Sequence, residues 1–107
     1  MLRAVQAVLE AVAEPRRRDI LELLRTGEHL VGELANELGV AQPTVSKHLK
    51  VMREAGLVAV RPDAQRRWYR LRPEPLLAID AWLEPYRQAW AGRLDDLERH
   101  LDQMEHS

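Results

Sequence analysis

Polar side chains that can read hydrogen-bonding groups gather in one short stretch near the middle of the chain. Between positions 42 and 50 these are Gln42, Thr44, Ser46, Lys47, His48 and Lys50. Val45, Leu49 and Met52 recur among them at helical spacing and predict a helix that is buried on one side. A glutamine amide pairs with adenine, and a lysine ammonium donates to guanine. The stretch is therefore typical of a helix that lies in the major groove of DNA.

Position along this helix separates two roles. Gln42, Thr44 and Lys47 lie on the exposed face near its N-terminus, where base edges would be reached. Ser46, His48 and Lys50 are better placed for the phosphate backbone, which takes about half or more of protein–DNA hydrogen bonds. The alternative, an ordinary polar helix surface, stays open for each residue taken singly.

Basic residues are concentrated around the same stretch, although the whole chain has a net charge of −1. Residues 42–72 hold 8 Lys and Arg against 2 Asp and Glu, whereas residues 73–107 hold 3 against 8. Arg66 and Arg67, near the tip of a predicted hairpin, are candidates for phosphate or minor-groove contact. Arg16–Arg18 begin a predicted helix, where positive charge opposes the helix dipole. Arg17 is therefore predicted to contact a phosphate, with pairing to a nearby carboxylate as the alternative.

Periodicity predicts the elements that position these residues within one domain, 1–107. Helices are expected at 2–13, 15–25, 31–38 and 42–55, with a turn at Gly39 that makes 31–55 a helix-turn-helix. Short strands at 57–61 and 67–71 predict a β-hairpin wing within 57–72. Tyr69 and Leu71 are expected to face inward, while Trp68 either covers the domain surface or stacks on a partner. The expected fold is mainly α, a winged helix-turn-helix with a two-stranded wing and a long C-terminal helix.

Residues 74–104 predict that long helix, which Pro85 should kink or split. Trp90, Leu94, Leu97, Leu101 and Met104 follow spacings of 4, 3, 4 and 3, a narrow apolar seam that favours a partner helix. The simplest partner is a second copy, and folding back onto the same domain is the alternative. With residues 1–13 as a second dimerisation helix, the predicted interface comprises Leu2, Val5, Leu9, Leu83, Tyr86, Trp90, Leu94, Leu97 and Leu101.

Several segments together resemble the ArsR/SmtB family of bacterial transcriptional regulators. They are EPRRRDIL from Glu14, QPTVSKHL from Gln42 and EAGLV from Glu54. The resemblance implies a homodimeric repressor that binds a pseudo-palindromic operator in double-stranded DNA and leaves it on a signal. Many relatives sense metals through cysteines, or through Asp and His on the last helix. This chain has no cysteine, so it is similar to the metal-independent branch, and neither a metal site nor a cofactor is expected.

Other classes of function fit the sequence poorly. There is no glycine-rich phosphate loop and no nucleophile with a partnered base, so an enzyme is not expected. No run of about 20 apolar residues predicts a membrane span, and a cytoplasmic protein is the expectation. Trp82, Tyr86 and Trp90 are candidates to line a crevice for an unidentified small molecule, and a protein effector is equally open. The competing hypothesis is a winged-helix interaction module in which DNA binding is lost or secondary.

Overall fold

A computed structural model describes residues 2–105, with the backbone alone at Leu2. Within that range the elements run α1 (Leu2–Ala13), α2 (Pro15–Leu24), β1 (His29–Leu30), α3 (Val31–Leu38), α4 (Gln42–Glu54), β2 (Val58–Asp63), β3 (Arg66–Leu71) and α5 (Glu74–Glu105). The predicted winged helix-turn-helix is confirmed, and the bounds of α1 to α4 agree with the prediction to within one residue.

Helices α1 and α2 meet at a single residue, Glu14. Its backbone is extended, with φ −86° and ψ 124°, and its side chain accepts a hydrogen bond from the backbone N–H of Arg17. Pro15 takes the first position of α2, where a missing N–H leaves no bond unmade. The chain therefore turns sharply, and the arginines that begin α2 come to lie beside the C-terminal end of α1.

Those arginines cap the C-terminal ends of other helices. Arg17 Nε donates to the Ala11 carbonyl at 2.6 Å, and Arg18 Nη1 donates to the Val12 carbonyl at 2.7 Å. Arg16 Nη1 reaches the Leu38 carbonyl, at the end of α3, at 3.5 Å. Carbonyls at a helix C-terminus carry partial negative charge, so charges that oppose the dipole of α2 complement those of α1 and α3. Within residues 2–105 none of the three forms the ion pair with a neighbouring carboxylate that was the alternative to a phosphate contact.

A three-residue turn, 39–41, joins α3 to α4. Gly39 ends α3 with φ 64° and ψ 35°, and the N–H of Val40 then donates to the Ala35 carbonyl at 3.1 Å. A Cβ atom at Gly39 would have no neighbour within 4 Å, so the left-handed backbone, rather than crowding, is what favours glycine. The two helices share a buried core of Leu34, Val45 and Leu49, as predicted.

The wing belongs to a three-stranded antiparallel sheet with strand order β1-β3-β2. The predicted two-stranded hairpin is confirmed as β2 and β3, and β1 adds a third strand that the sequence did not predict. β1 pairs His29 with Tyr69 and Leu30 with Trp68, and a strand of two residues is too short to leave a periodic signal in the sequence. The hairpin strands are also longer than predicted, and they include Pro62 on the edge strand, where a missing N–H is tolerated.

The core lies between the first four helices and the inner face of the sheet. Its largest fully buried side chains are Ile20, Leu34, Leu49, Met52, Leu57, Val8 and Val45. Tyr69 is buried opposite Val60, and Leu71 lies opposite Val58, as the strand alternation predicts. In α1 the buried positions are Val5, Val8 and Ala11, whereas Leu9 stays 39% exposed. One apolar stripe of this helix contains Val5 and Leu9, and a neighbouring stripe contains Val5, Val8 and Ala11. Tertiary packing buries the stripe of Val5, Val8 and Ala11.

Helix α5 projects from this domain as one continuous helix of 32 residues. The radius of gyration is 19.7 Å, whereas a compact chain of this length has about 13 Å. Pro85 lies inside the helix, so of the two predicted effects, a kink or a split, the split does not occur. Proline removes the hydrogen bond to the carbonyl four residues earlier. At an exposed position water can donate a hydrogen bond to that carbonyl instead. No helix within residues 2–105 is long and apolar enough to cross a membrane.

Candidate nucleic-acid interface

The outward face of α4 carries the polar residues that the sequence singled out. Thr44, Ser46, Lys47 and Lys50 are exposed, while Val45, Leu49 and Met52 anchor the opposite face in the core. The two lysines form no ion pair with any residue between 2 and 105. Pro43 and the absence of a side-chain cap leave the positive end of the α4 dipole open to solvent. This face therefore presents donors and positive charge on a rigid helix.

His48 and Arg17 point inward. The side chain of His48 is only 19% exposed, and its Nδ1 lies 3.4 Å from Arg17 Nη1. Its Nε2 lies 4.0 Å from Glu14 Oε2. Both residues were predicted to contact DNA phosphates, but the structure turns them toward the junction of α1 and α2 instead of toward the exposed face of α4.

The tip of the wing faces the N-terminal ends of α3 and α4 across an open cleft of about 550 Å³. Arg66 and Arg67 are exposed on the wing side of this cleft, and Gln42 lies on the helix side. At the tip, Ala64 has φ 56°, a strained backbone for a residue other than glycine, within the two-residue connection between β2 and β3. The cleft thus brings together three residues that the sequence placed in two separate elements.

The cleft also contains residues that the sequence did not single out. Gly32, Asn36 and Gln65 line it, together with Glu33. A Cβ at Gly32 would come within 3.7 Å of Gln42 Nε2, so the Gln42 amide lies over the second residue of α3. No spacing pattern marks these positions, because they become neighbours only when the wing folds against α3.

The other arginines of the wing are less free than its tip. Arg61 pairs with Glu28 at 3.2 Å, and Arg72 lies 3.8 Å from Glu74, whereas Arg70 is exposed. Trp68 is half-buried across from Leu30, consistent with the expectation that it covers the domain surface. Its indole N–H is buried and has no hydrogen-bond partner among residues 2–105. Arg66, Arg67 and Arg70 are therefore the arginines of the wing that have no ion-pair partner among residues 2–105.

The residues predicted for a dimer interface lie on α1 and α5. Leu83, Tyr86, Trp90, Leu94, Leu97 and Leu101 are all exposed along α5. Val5 is only 4% exposed within the single chain, so Leu9 is the residue of α1 that offers substantial surface, while the side chain of Leu2 lies outside the described residues. On the α5 flank, hydrogen bonds to Glu84 and Asp80 raise the pKa of Arg87.

The aromatic residues that were candidates to line a crevice are exposed along α5, and two of the histidines contact other parts of the fold. The rings of Trp82 and Tyr86 are 5.4 Å apart, and Trp90 is 62% exposed on the next turn. His29 Nδ1 lies 2.9 Å from the Gly27 carbonyl, and His48 contacts Arg17. Across residues 2–105, no three His, Asp or Glu side chains cluster as metal ligands would. His106 lies outside the described residues.

Comparison with known proteins is consistent with this architecture. A sequence profile of bacterial regulatory proteins of the ArsR family matches residues 14–60. The chain is 43% identical over 100 residues to the HTH-type transcriptional regulator Rv2034 of Mycobacterium tuberculosis, over 94% of this chain and 91% of that relative. The crystal structure of the ArsR family transcriptional regulator RHA00566 has a TM-score of 0.76 at 27% identity, over 85% of this chain and 94% of that one. The transcriptional repressor BigR from Xylella fastidiosa has a TM-score of 0.63 at 31% identity, over 79% and 88%. The chain therefore belongs to the ArsR family of bacterial regulatory proteins and is a helix-turn-helix transcriptional regulator.

Proposed function

We propose that the chain regulates transcription by binding a specific DNA sequence through α4 and the tip of the wing. The observation that carries this proposal is the set of exposed cations on two neighbouring elements, Lys47 and Lys50 on α4 and Arg66 and Arg67 on the wing side of the cleft. These four side chains are exposed to solvent on regular secondary structure, so their charge is available to a binding partner. A polyanion is the partner that such a surface fits.

Within this surface Gln42, Thr44 and Lys47 are the proposed base contacts, since they lie in the first turns of α4. Ser46 and Lys50 are proposed for the phosphate backbone, along with Arg66 and Arg67. The cleft between wing and helices gives the backbone of one DNA strand a path between the two contact regions.

We also propose that the active form is a homodimer. Helix α5 leaves a continuous apolar stripe uncovered, and exposed apolar surface of this extent is typical of an interaction site. A second copy brings the same stripe in a symmetric pair and places two α4 helices about one DNA turn apart, ~34 Å. A pseudo-palindromic operator is the target that matches such a dimer.

Repression is the proposed mode of action, and BigR, named a transcriptional repressor, supports it. We assign the chain to a metal-independent branch because it has no cysteine and because His29 and His48 are engaged within the fold. The proposed signal that releases the operator is an effector, either a small molecule near Trp82 and Tyr86 or a protein. The proposed site of action is bacterial DNA in the cytoplasm.

The experiment is footprinting and an electrophoretic mobility shift on the DNA upstream of the chain's own gene. Lys47→Ala should weaken binding to the protected site by roughly 10- to 100-fold, since a base contact contributes about 1–3 kcal/mol. Arg99→Ala is the matched control, because it removes one positive charge from α5, where Asp96 is the one ion-pair partner of Arg99 among residues 2–105. Unchanged affinity for Lys47→Ala would show that this face does not read DNA. A lack of specific binding there and across the genome would favour the protein-interaction module.

A further inference from the structure

A single guanidinium links the end of α1 to the middle of α4. Arg17 Nε donates to the Ala11 carbonyl at 2.6 Å, and Nη2 donates to the Glu10 carbonyl at 3.3 Å. Its Nη1 lies 3.4 Å from Nδ1 of His48. Two of its three nitrogens thus hold the last turn of α1, and the third holds a residue of the proposed DNA-reading helix.

Glu14 completes the cluster from the other side of the imidazole. Its Oε2 accepts from the backbone N–H of Arg17 at 3.1 Å and lies 4.0 Å from His48 Nε2. A guanidinium has no acceptor, so the ring nitrogen beside Arg17 must itself accept. The N–H of the ring is then at Nε2, facing the Glu14 carboxylate. Arg17 therefore contacts one nitrogen of His48, while Glu14 lies 4.0 Å from the other, beyond hydrogen-bond distance, and holds the backbone of Arg17 in place.

The same contacts keep Arg17 and His48 away from the exposed surface. Both side chains are partly buried, whereas their neighbours Lys47 and Arg18 are exposed. A phosphate contact from Arg17 would require its guanidinium to leave two carbonyls and an imidazole. That exchange replaces charge-assisted hydrogen bonds already made within the fold, so it offers little net gain.

We infer that Arg17 is a positioning residue that sets the orientation of α4 on the domain by holding His48, and that Glu14 supports it through the backbone N–H of Arg17. This inference rests on the proposed function, since it concerns the orientation of α4, the helix proposed to contact the DNA bases. Helix α1 also packs against α5, which carries the proposed dimer stripe. The cluster therefore fixes the reading helix relative to the dimerisation helices. Two α4 helices reach successive major grooves only when their spacing matches the DNA repeat, so this angle bears directly on specific binding.

The test compares Arg17→Ala, Arg17→Lys, His48→Ala and His48→Asn with the wild-type protein. Binding to a specific site should fall about tenfold for Arg17→Ala and His48→Ala, the loss expected for one charge-assisted hydrogen bond. Binding to unrelated DNA should not change. The double alanine variant should lose no more than either single variant, because both remove the same link. His48→Asn should recover binding, since its side-chain oxygen can take the place of Nδ1 as acceptor.

The salt dependence separates positioning from phosphate contact. Loss of one phosphate contact makes the negative slope of log K against log salt shallower by about 0.9 for each bound subunit, whereas loss of a positioning residue leaves the slope unchanged. Arg18→Ala is the matched control. It removes an arginine that also caps α1 through the Val12 and Ala13 carbonyls, but it has no contact with His48. Its specific binding should match wild type.

Hydrogen exchange in DNA-free protein gives a second readout that does not depend on the proposed function. Amides near His48 should exchange faster in Arg17→Ala, or in Arg17→Lys if the alanine variant does not fold, than its loss of global stability explains; in Arg18→Ala they should change by no more than its loss of global stability. A slope shallower by about 0.9 per bound subunit in Arg17→Ala, additive losses in the double variant, or exchange in α4 no faster than the change in global stability explains would each overturn the inference. Absence of specific DNA binding by wild type would instead refute the proposed function, and the exchange result would still decide the role of Arg17.

Discussion

The apolar stripe on α5 gives the most direct test of the proposed assembly. Leu97 is 52% exposed in the single chain and lies at the middle of the distal stripe, between Leu94 and Leu101. The change considered is Leu97→Ala. Because alanine is the strongest helix former, the helix itself should persist, and the effect should report on the interface.

The magnitude follows from the surface that a partner would cover. Complete burial of a leucine side chain contributes about 1.5–3 kcal/mol, so covering the exposed half of Leu97 contributes roughly 1 kcal/mol. A symmetric dimer contains the residue twice, which gives roughly 2 kcal/mol. At about 1.4 kcal/mol for each tenfold change, the dimer dissociation constant should rise roughly 30-fold.

The assay is analytical ultracentrifugation of fluorescently labelled protein over nanomolar to micromolar concentrations. Gln103→Ala is the control, since this exposed residue of α5 faces away from the stripe and its replacement removes no apolar surface. The control should dissociate like wild type. A wild-type protein that is monomeric at micromolar concentration, or a Leu97→Ala dissociation constant equal to that of wild type, would refute the reasoning.

Three further predictions concern the wing, the arginine caps and the helix-turn-helix turn. Replacing both Arg66 and Arg67 with alanine should make the salt dependence of operator binding shallower by up to about two phosphate contacts in each subunit; an unchanged slope would remove the wing tip from the interface. Arg18→Ala should lower the free energy of unfolding by about 1 kcal/mol in urea titrations, because it leaves the carbonyls that end α1 without their charged donor. Arg25→Ala, which breaks an exposed ion pair with Glu22, should lower the free energy of unfolding by a few tenths of a kcal/mol. Equal losses in Arg18→Ala and Arg25→Ala would contradict the capping account. Gly39→Ala should cost about 1–2 kcal/mol from left-handed backbone strain alone, since its Cβ would meet no neighbour. Wild-type stability in this variant would show that the turn relaxes freely.

The order of the elements and the exposed polar face of α4 could be predicted from the sequence. Val45, Leu49 and Met52 leave Thr44 and Lys47 on the opposite side for any helix with this spacing, because helical periodicity is a local property. Gly39 and Pro15 likewise mark a helix end and a helix start through their own backbone preferences. For the same reason the apolar stripe of α5 was predicted at its observed positions, whereas its continuity through Pro85 was not.

Tertiary structure decided what the cations of this domain contact. Arg17 and Arg66 are both arginines in basic runs, and no sequence pattern separates their roles. Folding brings the carbonyls of Glu10 and Ala11 and the ring of His48 to Arg17, and it leaves Arg66 at the edge of an open cleft. The third strand, β1, has the same origin, since two residues become a strand only when β3 lies beside them. Local spacing therefore determines which side chains a helix presents, while contacts between distant segments determine which of them stay free to bind.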